Sequence, residues 1–372
     1  MPPKTTHEIT ADMLARAQTM ATPIADVAYV PPSFVFGSVV PAGFPSIIGA
    51  PTKTGKSLII ESIIADASQG RATVFDIADG AQPGTLIRLP MTTLYLPGED
   101  RIESEVKRNL VCAGADQAMI IVPTPESLAK LRVGSAELEA LISLYRPSLL
   151  VIDPWSRFYD DSRYRMGDRE GVIRFFDVVR DLIAKYRLEA VLLTANTNKD
   201  RREPSTGASE LYGSQQLIDA ARSVLMCCPT ANPEDPDEIC ISQVGSNARE
   251  RGSPTILLRK NRARGIVEYI GTSDLSYQVY RNRADSSYAS SSSLTKAKQA
   301  IMERMGMAAD ADEQYPTREE AIVYAARVAA CSRNTAINAL SALARDGKII
   351  LPGSGRGHGN TPLRLPDAAP NN

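Results

Sequence analysis

The chain of 372 residues is poor in the side chains that bind zinc, since it has five cysteines, two histidines and no cysteine pair spaced C-x-x-C. A structural zinc site takes four such side chains at close spacing, so we expect free, buried thiols instead. Long apolar runs are missing too. No segment approaches the roughly 20 apolar residues of a membrane helix, and residues 1–15 lack the apolar core of a signal peptide. We therefore expect a cytoplasmic protein without membrane contact.

The overall composition indicates a globular protein. Hydrophobic residues make up 43% of the chain and charged residues 23%, which excludes a chain that is disordered or fibrous throughout. A single core stops growing near roughly 250–300 residues, so the length predicts one large domain and one small one. The net charge of −1 is an average over the whole chain, and a basic surface has to be sought locally.

Short apolar runs alternate with helical patterns over residues 36–282, which predicts an α/β domain with a mostly parallel sheet. The predicted strands are 46–48, 94–96, 119–122, 149–153, 190–195 and 223–228. Before this domain, residues 1–35 form a polar arm; its amphipathic piece, 9–21, is interpreted as a surface helix or as a contact with a neighbouring subunit. After it, the Ser-rich segment 283–293 predicts a flexible linker to a second domain, 294–366, with a disordered tail at 367–372.

Residues 49–57 read GAPTKTGKS and match the P-loop pattern G-x-x-x-x-G-K-[ST]. A predicted strand precedes the motif, and a predicted helix, 57–68, follows it with Gly70 as its C-cap. In this setting Lys56 reaches the β- and γ-phosphates and Ser57 binds Mg²⁺. We therefore predict binding and hydrolysis of ATP with Mg²⁺. The predicted nucleotide-binding residues are Gly49, Ala50, Pro51, Thr52, Lys53, Thr54, Gly55, Lys56 and Ser57.

Two acidic positions extend the predicted site. Asp153 ends an apolar strand that we expect beside the P-loop strand, where its carboxylate would hold Mg²⁺. Pro154 follows Asp153, so the base that activates water must come from another strand. Glu99, after strand 94–96 in the sequence PGED, is the predicted catalytic base. Alternatively, Glu99 and Asp100 are a solvated pair, with Asp100 as N-cap of the next helix.

Together with LYLPGED, LLVIDPWSRF, VLLTANTNK, YGSQQLIDAARSV and LRKNRARG in this order, the P-loop resembles the RecA-fold hexameric replicative helicases of the DnaB superfamily. The RepA-like plasmid and mobile-element group is the most similar, and the resemblance spans residues 31–275. It implies a RecA-like core, a homo-oligomeric ring expected to be a hexamer, Glu99 as base and Asp153 as metal-holding acid, with Arg108 near the site. The family has two histidines before Thr197. This chain has Ala195 and Asn196 there, and Asn196 is expected to sense the γ-phosphate.

The same resemblance implies a basic side chain inserted from a neighbouring subunit, which would stabilise the charge on the transferred phosphoryl group. Arg222 in DAARSV is one candidate, and the pair Lys260 and Arg262 in KNRARG is the other. The sequence does not choose between them. A solvated basic patch beside a strand is the alternative for the KNRARG segment.

Two cation-rich segments follow core strands at positions that face the central channel in RecA-like rings. They contain Arg163 and Arg165 after Asp153, and Lys199, Arg201 and Arg202 after the TANTN strand. Such cations would bind the phosphates of single-stranded DNA without sequence preference. Ordinary solvated loops are the alternative, because acidic residues are interspersed among the cations.

Residues 317–320 have the pattern of a capping box, and a second helix follows from 331. With the Gly-rich turn beyond Ile350, this spacing resembles a winged-helix domain. If the domain binds duplex DNA, base contacts are expected from Arg333, Asn334, Thr335 and Asn338, and a phosphate contact from Arg356. A module that docks a replication protein is the alternative.

These observations favour a ring-forming, ATP-driven DNA helicase or translocase that acts in replication of a plasmid, phage or mobile element. Two alternatives remain open. One is a DNA-binding regulator in which ATP switches assembly, and the other is a filament-forming recombination or partition ATPase without unwinding activity.

Overall fold

A computed structural model describes residues 10–160, 169–197, 211, 217, 220–246, 254–291, 293–310, 314–352 and 361–366. The helices are α1 Ala11–Met20, α2 Lys56–Gln69, α3 Val74–Ala78, α4 Lys107–Cys112, α5 Pro125–Lys130, α6 Ala136–Tyr145, α7 Arg169–Tyr186, α8 Tyr277–Ser291, α9 Ser293–Asp310, α10 Arg318–Val328 and α11 Arg333–Arg345. The strands are β1 Phe34–Phe36, β2 Val40–Pro41, β3 Pro45–Ala50, β4 Thr93–Pro97, β5 Ile120–Ile121, β6 Leu149–Asp153, β7 Ala190–Asn196, β8 Ser223–Pro229, β9 Glu238–Ser246, β10 Thr255–Asn261 and β11 Ile266–Ser273.

In the described residues, β3 to β11 form a nine-stranded sheet in the order β11-β10-β9-β8-β3-β7-β6-β4-β5. The strands from β8 to β5 in this order all pair in parallel. They are the six strands predicted from the sequence, and the predicted α/β class with a mostly parallel central sheet is confirmed. Strands covered on both faces are apolar throughout, which is why β3, β4 and β6 read as continuous apolar runs.

The sheet also has an antiparallel extension that was not among the predicted strands. β9 pairs with β8, β10 with β9, and β11 with β10, all antiparallel. Residues in β10 and β11 alternate in burial, so charged side chains interrupt their apolar pattern. This mixed composition hides strands in the sequence, because each strand presents one polar face.

The acid-bearing strand β6 is not a neighbour of the P-loop strand, which corrects the expectation from the sequence. β7 lies between them and pairs in parallel with both β3 and β6. An apolar run identifies a strand, but it carries no information about which strand lies next to it. The position of β7 brings its C-terminal residues between the P-loop and Asp153.

Both faces of the sheet are covered. Successive residues of a strand point to opposite faces, so Ile47 joins one buried cluster and Ile48 the other. On the Ile47 face the covering helix is α7, with Phe176 in the cluster. On the Ile48 face it is α2, with Ile59, and α2 is buried along almost its whole length, so the helix that follows the P-loop is fixed by packing.

The segments outside this core differ in part from the expectations. Every described residue before Phe34 is exposed, including all of α1. The described residues of the predicted flexible linker are helical, since α8 continues to Ser291 and α9 begins at Ser293. Alanine favours helix, and serine disfavours it only weakly, so this composition permits either state. The domain boundary itself remains a prediction.

The C-terminal residues form a helical cluster of their own. α9, α10 and α11 pack around a small core that includes Ile301, Ile322 and Leu340. The predicted capping box is present at Thr317 and Glu320, and Ile350 pairs with Arg364 in an isolated antiparallel bridge. This arrangement is compatible with a winged-helix domain, which stays a prediction.

Two expectations from composition concern burial. Cys227, Cys228 and Cys240 are buried, as expected of structural thiols, whereas Cys112 is exposed and Cys331 is half-buried. In the described part of the chain, no helix combines the length and the apolar character needed to cross a membrane.

Candidate active site

The P-loop joins the end of β3 to the start of α2. Its backbone turns through left-handed conformations at Lys53 (φ 65°) and Gly55 (φ 112°), and the Thr54 N–H donates to the Pro51 carbonyl at 3.3 Å. Gly55 is the N-cap of α2 and provides no capping side chain. The first N–H groups of α2 are therefore available to an anion, and the helix dipole favours negative charge at this end.

Gly49 lies in a closely packed position beneath the loop. A Cβ atom at this position would lie 2.3 Å from Cδ2 of Leu211 and 2.6 Å from Sδ of Met226. Both contacts are far inside van der Waals distance, so a larger residue would force the side chains of Leu211 and Met226 to move. The first glycine of the motif therefore allows this close packing, whereas Gly55 is needed for its backbone conformation.

Lys56, the first residue of α2, is buried and faces β7. Its Nζ donates to Oδ1 of Asn196 at 2.7 Å and to the Ala50 carbonyl at 3.4 Å. Burial lowers the pKa of Lys56, while the negative charges of Asp153 and Glu99 act in the opposite direction. The structure thus brings Asn196, the residue expected to sense the γ-phosphate, into contact with the P-loop lysine.

Asp153 lies at the end of β6 and is 5% exposed. Its Oδ2 accepts from the Tyr95 hydroxyl at 3.3 Å, its Oδ1 accepts from the Thr194 hydroxyl, and Ser57 is a further donor. Burial raises the pKa of Asp153, and the hydrogen bonds from Thr194 and Ser57 oppose that rise. The adjacent Ser57 hydroxyl and Asp153 carboxylate are hard oxygen donors, so the residues present fit Mg²⁺.

Glu99 and Asp100 follow β4 at the same edge of the sheet. Pro97 is in register with Asp153, and the Gly98 N–H donates to the Asp153 carbonyl at 2.6 Å. The charges of Glu99 and Asp100 both act on Lys56, and that of Asp100 also acts on Asp153. Glu99 is exposed and Asp100 is partly buried. Both acids therefore lie at the candidate phosphate site.

The alternative interpretation of Asp100 as a helix N-cap is wrong. The next helical segment starts at Ile102, with Arg101 as its N-cap, and the Arg101 N–H donates to Oε2 of Glu105 at 3.0 Å. The segment Ile102–Val106 has π-helical hydrogen bonding before α4 begins. Glu105 therefore supplies the oxygen that caps this segment, and the charge of Asp100 acts on Lys56 and Asp153 instead.

Sequence reasoning missed three further residues around Asp153. Tyr95 and Thr194 donate to its carboxylate from the strands on either side. Glu61 lies one helical turn after Ser57 on α2, so both share a helix face. Glu61 is fully buried and accepts from Nδ2 of Asn109 at 2.8 Å. A glutamate within an otherwise apolar run of α2 was the available signal for this site.

The candidates for an inserted basic residue lie in different places. Arg222 precedes β8, which is parallel to β3, so Arg222 lies at the sheet edge opposite the P-loop. Its guanidinium lies 5.2 Å from the ring centroid of Phe44. Arg262 is exposed in the turn after β10, with Nε 3.9 Å from Oδ1 of Asp237. Arg108 contacts this turn by donating to the Arg262 carbonyl at 3.4 Å. Lys260 is buried against the P-loop of its own chain.

The candidate DNA-binding residues are described only in part. Arg163, Arg165, Lys199, Arg201, Arg202 and Arg356 lie outside the described residues. In α11, Arg333 forms an ion pair with Glu319 at 2.6 Å, and the Thr335 hydroxyl lies 2.9 Å from that of the N-cap residue Ser332. Asn334 and Asn338 are exposed one helical turn apart. Of this set, the two asparagines present a common exposed face.

Residues 16–202, half of the chain, match the protein-family model described as an AAA domain. Two similar solved structures are the KaiC-like protein PH0186 from the hyperthermophilic archaeon Pyrococcus horikoshii OT3 and the RadB recombinase. The KaiC-like protein is 11% identical with a TM-score of 0.44, and the match covers 64% of this chain and 100% of that chain. The RadB recombinase is 14% identical with a TM-score of 0.40, covering 64% of this chain and 93% of that chain. No curated protein sequence matches the chain.

Proposed function

Because the chain belongs to the AAA domain family, we propose that its P-loop site hydrolyses ATP to drive a ring-forming DNA helicase or translocase. The family supports nucleotide binding and ATPase activity. The observation on which the proposal depends is the convergence of Lys56, Ser57, Asp153 and Glu99 at one edge of the sheet. The proposed setting is replication of a plasmid, phage or mobile element in the cytoplasm.

Each residue of the site has a distinct task in hydrolysis. The N–H groups at the start of α2 and the Lys56 ammonium bind the phosphates, and Asn196 positions that ammonium through its 2.7 Å hydrogen bond. Ser57 and Asp153 would hold Mg²⁺, which neutralises charge on the phosphate oxygens. Glu99, exposed at the end of β4, would orient the attacking water and accept its proton.

The finer part of the proposal concerns DNA and assembly. The order of motifs supports a homo-oligomeric ring, proposed as a hexamer, that holds single-stranded DNA in a central channel. The exposed pair Asn334 and Asn338 supports contact of the C-terminal cluster with duplex DNA, whereas the cation of Arg333 is already paired with Glu319 and weakens that case. Duplex DNA and a replication protein are therefore the two proposed partners of this cluster, and one truncation experiment distinguishes them.

Strand separation on a forked DNA substrate tests the helicase proposal. We expect the wild type to unwind the fork with ATP and the Lys56→Ala variant to be inactive. ATPase activity without strand separation would instead favour the regulator or the filament-forming ATPase. Particle mass measured with an ATP analogue shows whether a closed ring forms, and a filament or a monomer would contradict the ring.

A truncated chain tests the C-terminal cluster. Truncation after Ser291 keeps α8 whole and removes α9, α10 and α11. We expect weaker duplex DNA binding and unchanged basal ATPase activity. Unchanged duplex affinity would contradict DNA binding by this cluster and leave protein docking as its role.

A further inference from the structure

Lys260 lies on the P-loop of its own chain. It is the penultimate residue of β10, and its side chain is 7% exposed. A Cβ atom built on Gly55 would lie 3.1 Å from Cδ and 3.7 Å from Cγ of Lys260. The methylene groups of this lysine thus cover Gly55, the N-cap of the helix that bears Lys56.

The positive charges of Lys260 and Lys56 act on the same buried group, the thiol of Cys227. Cys227, buried in β8, experiences the positive charges of both lysines, which oppose the rise in its pKa that burial causes. The ammonium of Lys260 lies 3.7 Å from Oδ1 of Asp237, a partly exposed carboxylate. This distance is longer than a hydrogen bond, so a phosphate oxygen that approaches the ammonium more closely can replace Asp237.

We propose that Lys260 binds the nucleotide phosphates of its own subunit, beside Lys56, and does not act on the site of a neighbour. The inference rests on the proposed ATPase function. To reach another subunit, Lys260 would have to leave its packing on Gly55 and expose its buried stem. Arg262, two residues further along, is exposed in the turn and remains, with Arg222, a candidate for a role between subunits.

ATP binding by dilute, unassembled protein is the first test. The variant Lys260→Met removes the charge and keeps an apolar stem over Gly55. The matched control is Arg264→Ala, which removes an exposed cation of the same hairpin. We expect Lys260→Met to weaken binding by about tenfold or more, as for one lost hydrogen bond to a charged group, and Arg264→Ala to leave it unchanged. Wild-type affinity of Lys260→Met would overturn the proposal.

Asp237→Asn provides a test that does not depend on removing the lysine. Loss of the carboxylate frees Lys260 for phosphate, so ATP should bind more tightly than to the wild type. Asp237 also pairs with Arg262, and its own negative charge disfavours phosphate, so the control is the same substitution in Lys260→Met, where the gain should be smaller if Lys260 contacts phosphate. Unchanged or weaker ATP binding would therefore contradict a role in phosphate binding.

Mixed assemblies distinguish action within one subunit from action between subunits. Subunits with Lys260→Met are mixed with subunits with Lys56→Ala, and co-assembly is verified by fluorescence energy transfer between labelled chains. If Lys260 serves its own site, every subunit lacks one required lysine, and the mixture shows no more ATPase activity than its components. Activity above their sum would show that Lys260 acts on a neighbour. Failure of the wild type to hydrolyse ATP would contradict the proposed function instead.

Discussion

Glu61→Gln should remove a large pH dependence of stability from this protein. Glu61 is fully buried, Asn109 donates to one of its oxygens, and among the described residues the other oxygen, Oε1, has no hydrogen-bond partner. Burial raises the pKa of Glu61 from 4.5 to about 8, and the negative charges of Asp100, Asp153 and Glu105 act in the same direction. At neutral pH the folded protein therefore holds this side chain as a neutral acid.

The size and sign of the effect follow from linkage. The folded state binds the proton more tightly than the unfolded state, so the free energy of unfolding falls as pH rises from 4.5 to about 8 and is level above it. At about 1.4 kcal/mol for each tenfold change, the whole difference amounts to about 5 kcal/mol. Between pH 6 and pH 8 the wild type should lose roughly 2 kcal/mol relative to Glu61→Gln, whose neutral amide does not titrate.

Urea unfolding at pH 6, 7 and 8 in buffer with EDTA and without nucleotide measures this difference. Glu103→Gln, an exposed glutamate in the segment before α4, is the control and should follow the wild-type pH dependence. The free energies of Glu61→Gln and wild type should diverge as pH rises, in favour of the variant. Parallel curves over this range would refute the assignment of Glu61 as a buried neutral acid.

Three other substitutions test particular contacts. Glu99→Gln should keep ATP binding in calorimetry and lower phosphate release by about 100-fold or more, since the base is lost. Thr194→Val removes a donor to Asp153, so the Mg²⁺ concentration for half-maximal ATPase should rise about 10-fold or more. Asp76→Ala removes the acceptor for Arg88 (2.6 Å) and the Gly37 N–H (2.8 Å), and thermal denaturation should show a loss of about 2–4 kcal/mol.

Each of these tests has an outcome that contradicts its premise. Near-normal turnover by Glu99→Gln would remove Glu99 as the base and direct attention to Asp100. An unchanged Mg²⁺ requirement in Thr194→Val would show that the hydrogen bond from Thr194 is not needed for Asp153 to hold Mg²⁺. Stability of Asp76→Ala equal to that of the wild type would mean that Asp76 does not hold its segment on the core.

The features that reside in contiguous residues could be predicted from the amino-acid sequence alone. The P-loop is nine consecutive positions between a strand and a helix. Asp153 ends an apolar run, and Glu99 follows another. A local pattern was therefore enough to predict the P-loop, the two acidic positions and the six parallel strands. The polar strands β9 to β11 gave no such pattern. The helices α8 and α9 in the predicted linker, 283–293, could not be predicted either, because the Ser and Ala composition of this segment permits helix and coil alike.

Which side chains contact each other depends on the fold of the whole chain. Sheet order inserts β7 between the P-loop strand and β6, which places Thr194 on Asp153 and Asn196 on Lys56. Lys260 reaches Gly55 because β10 ends at the same edge, although 205 positions separate the two residues in the sequence. Contacts across strands depend on long-range pairing, and a single sequence does not contain that pairing as a local pattern.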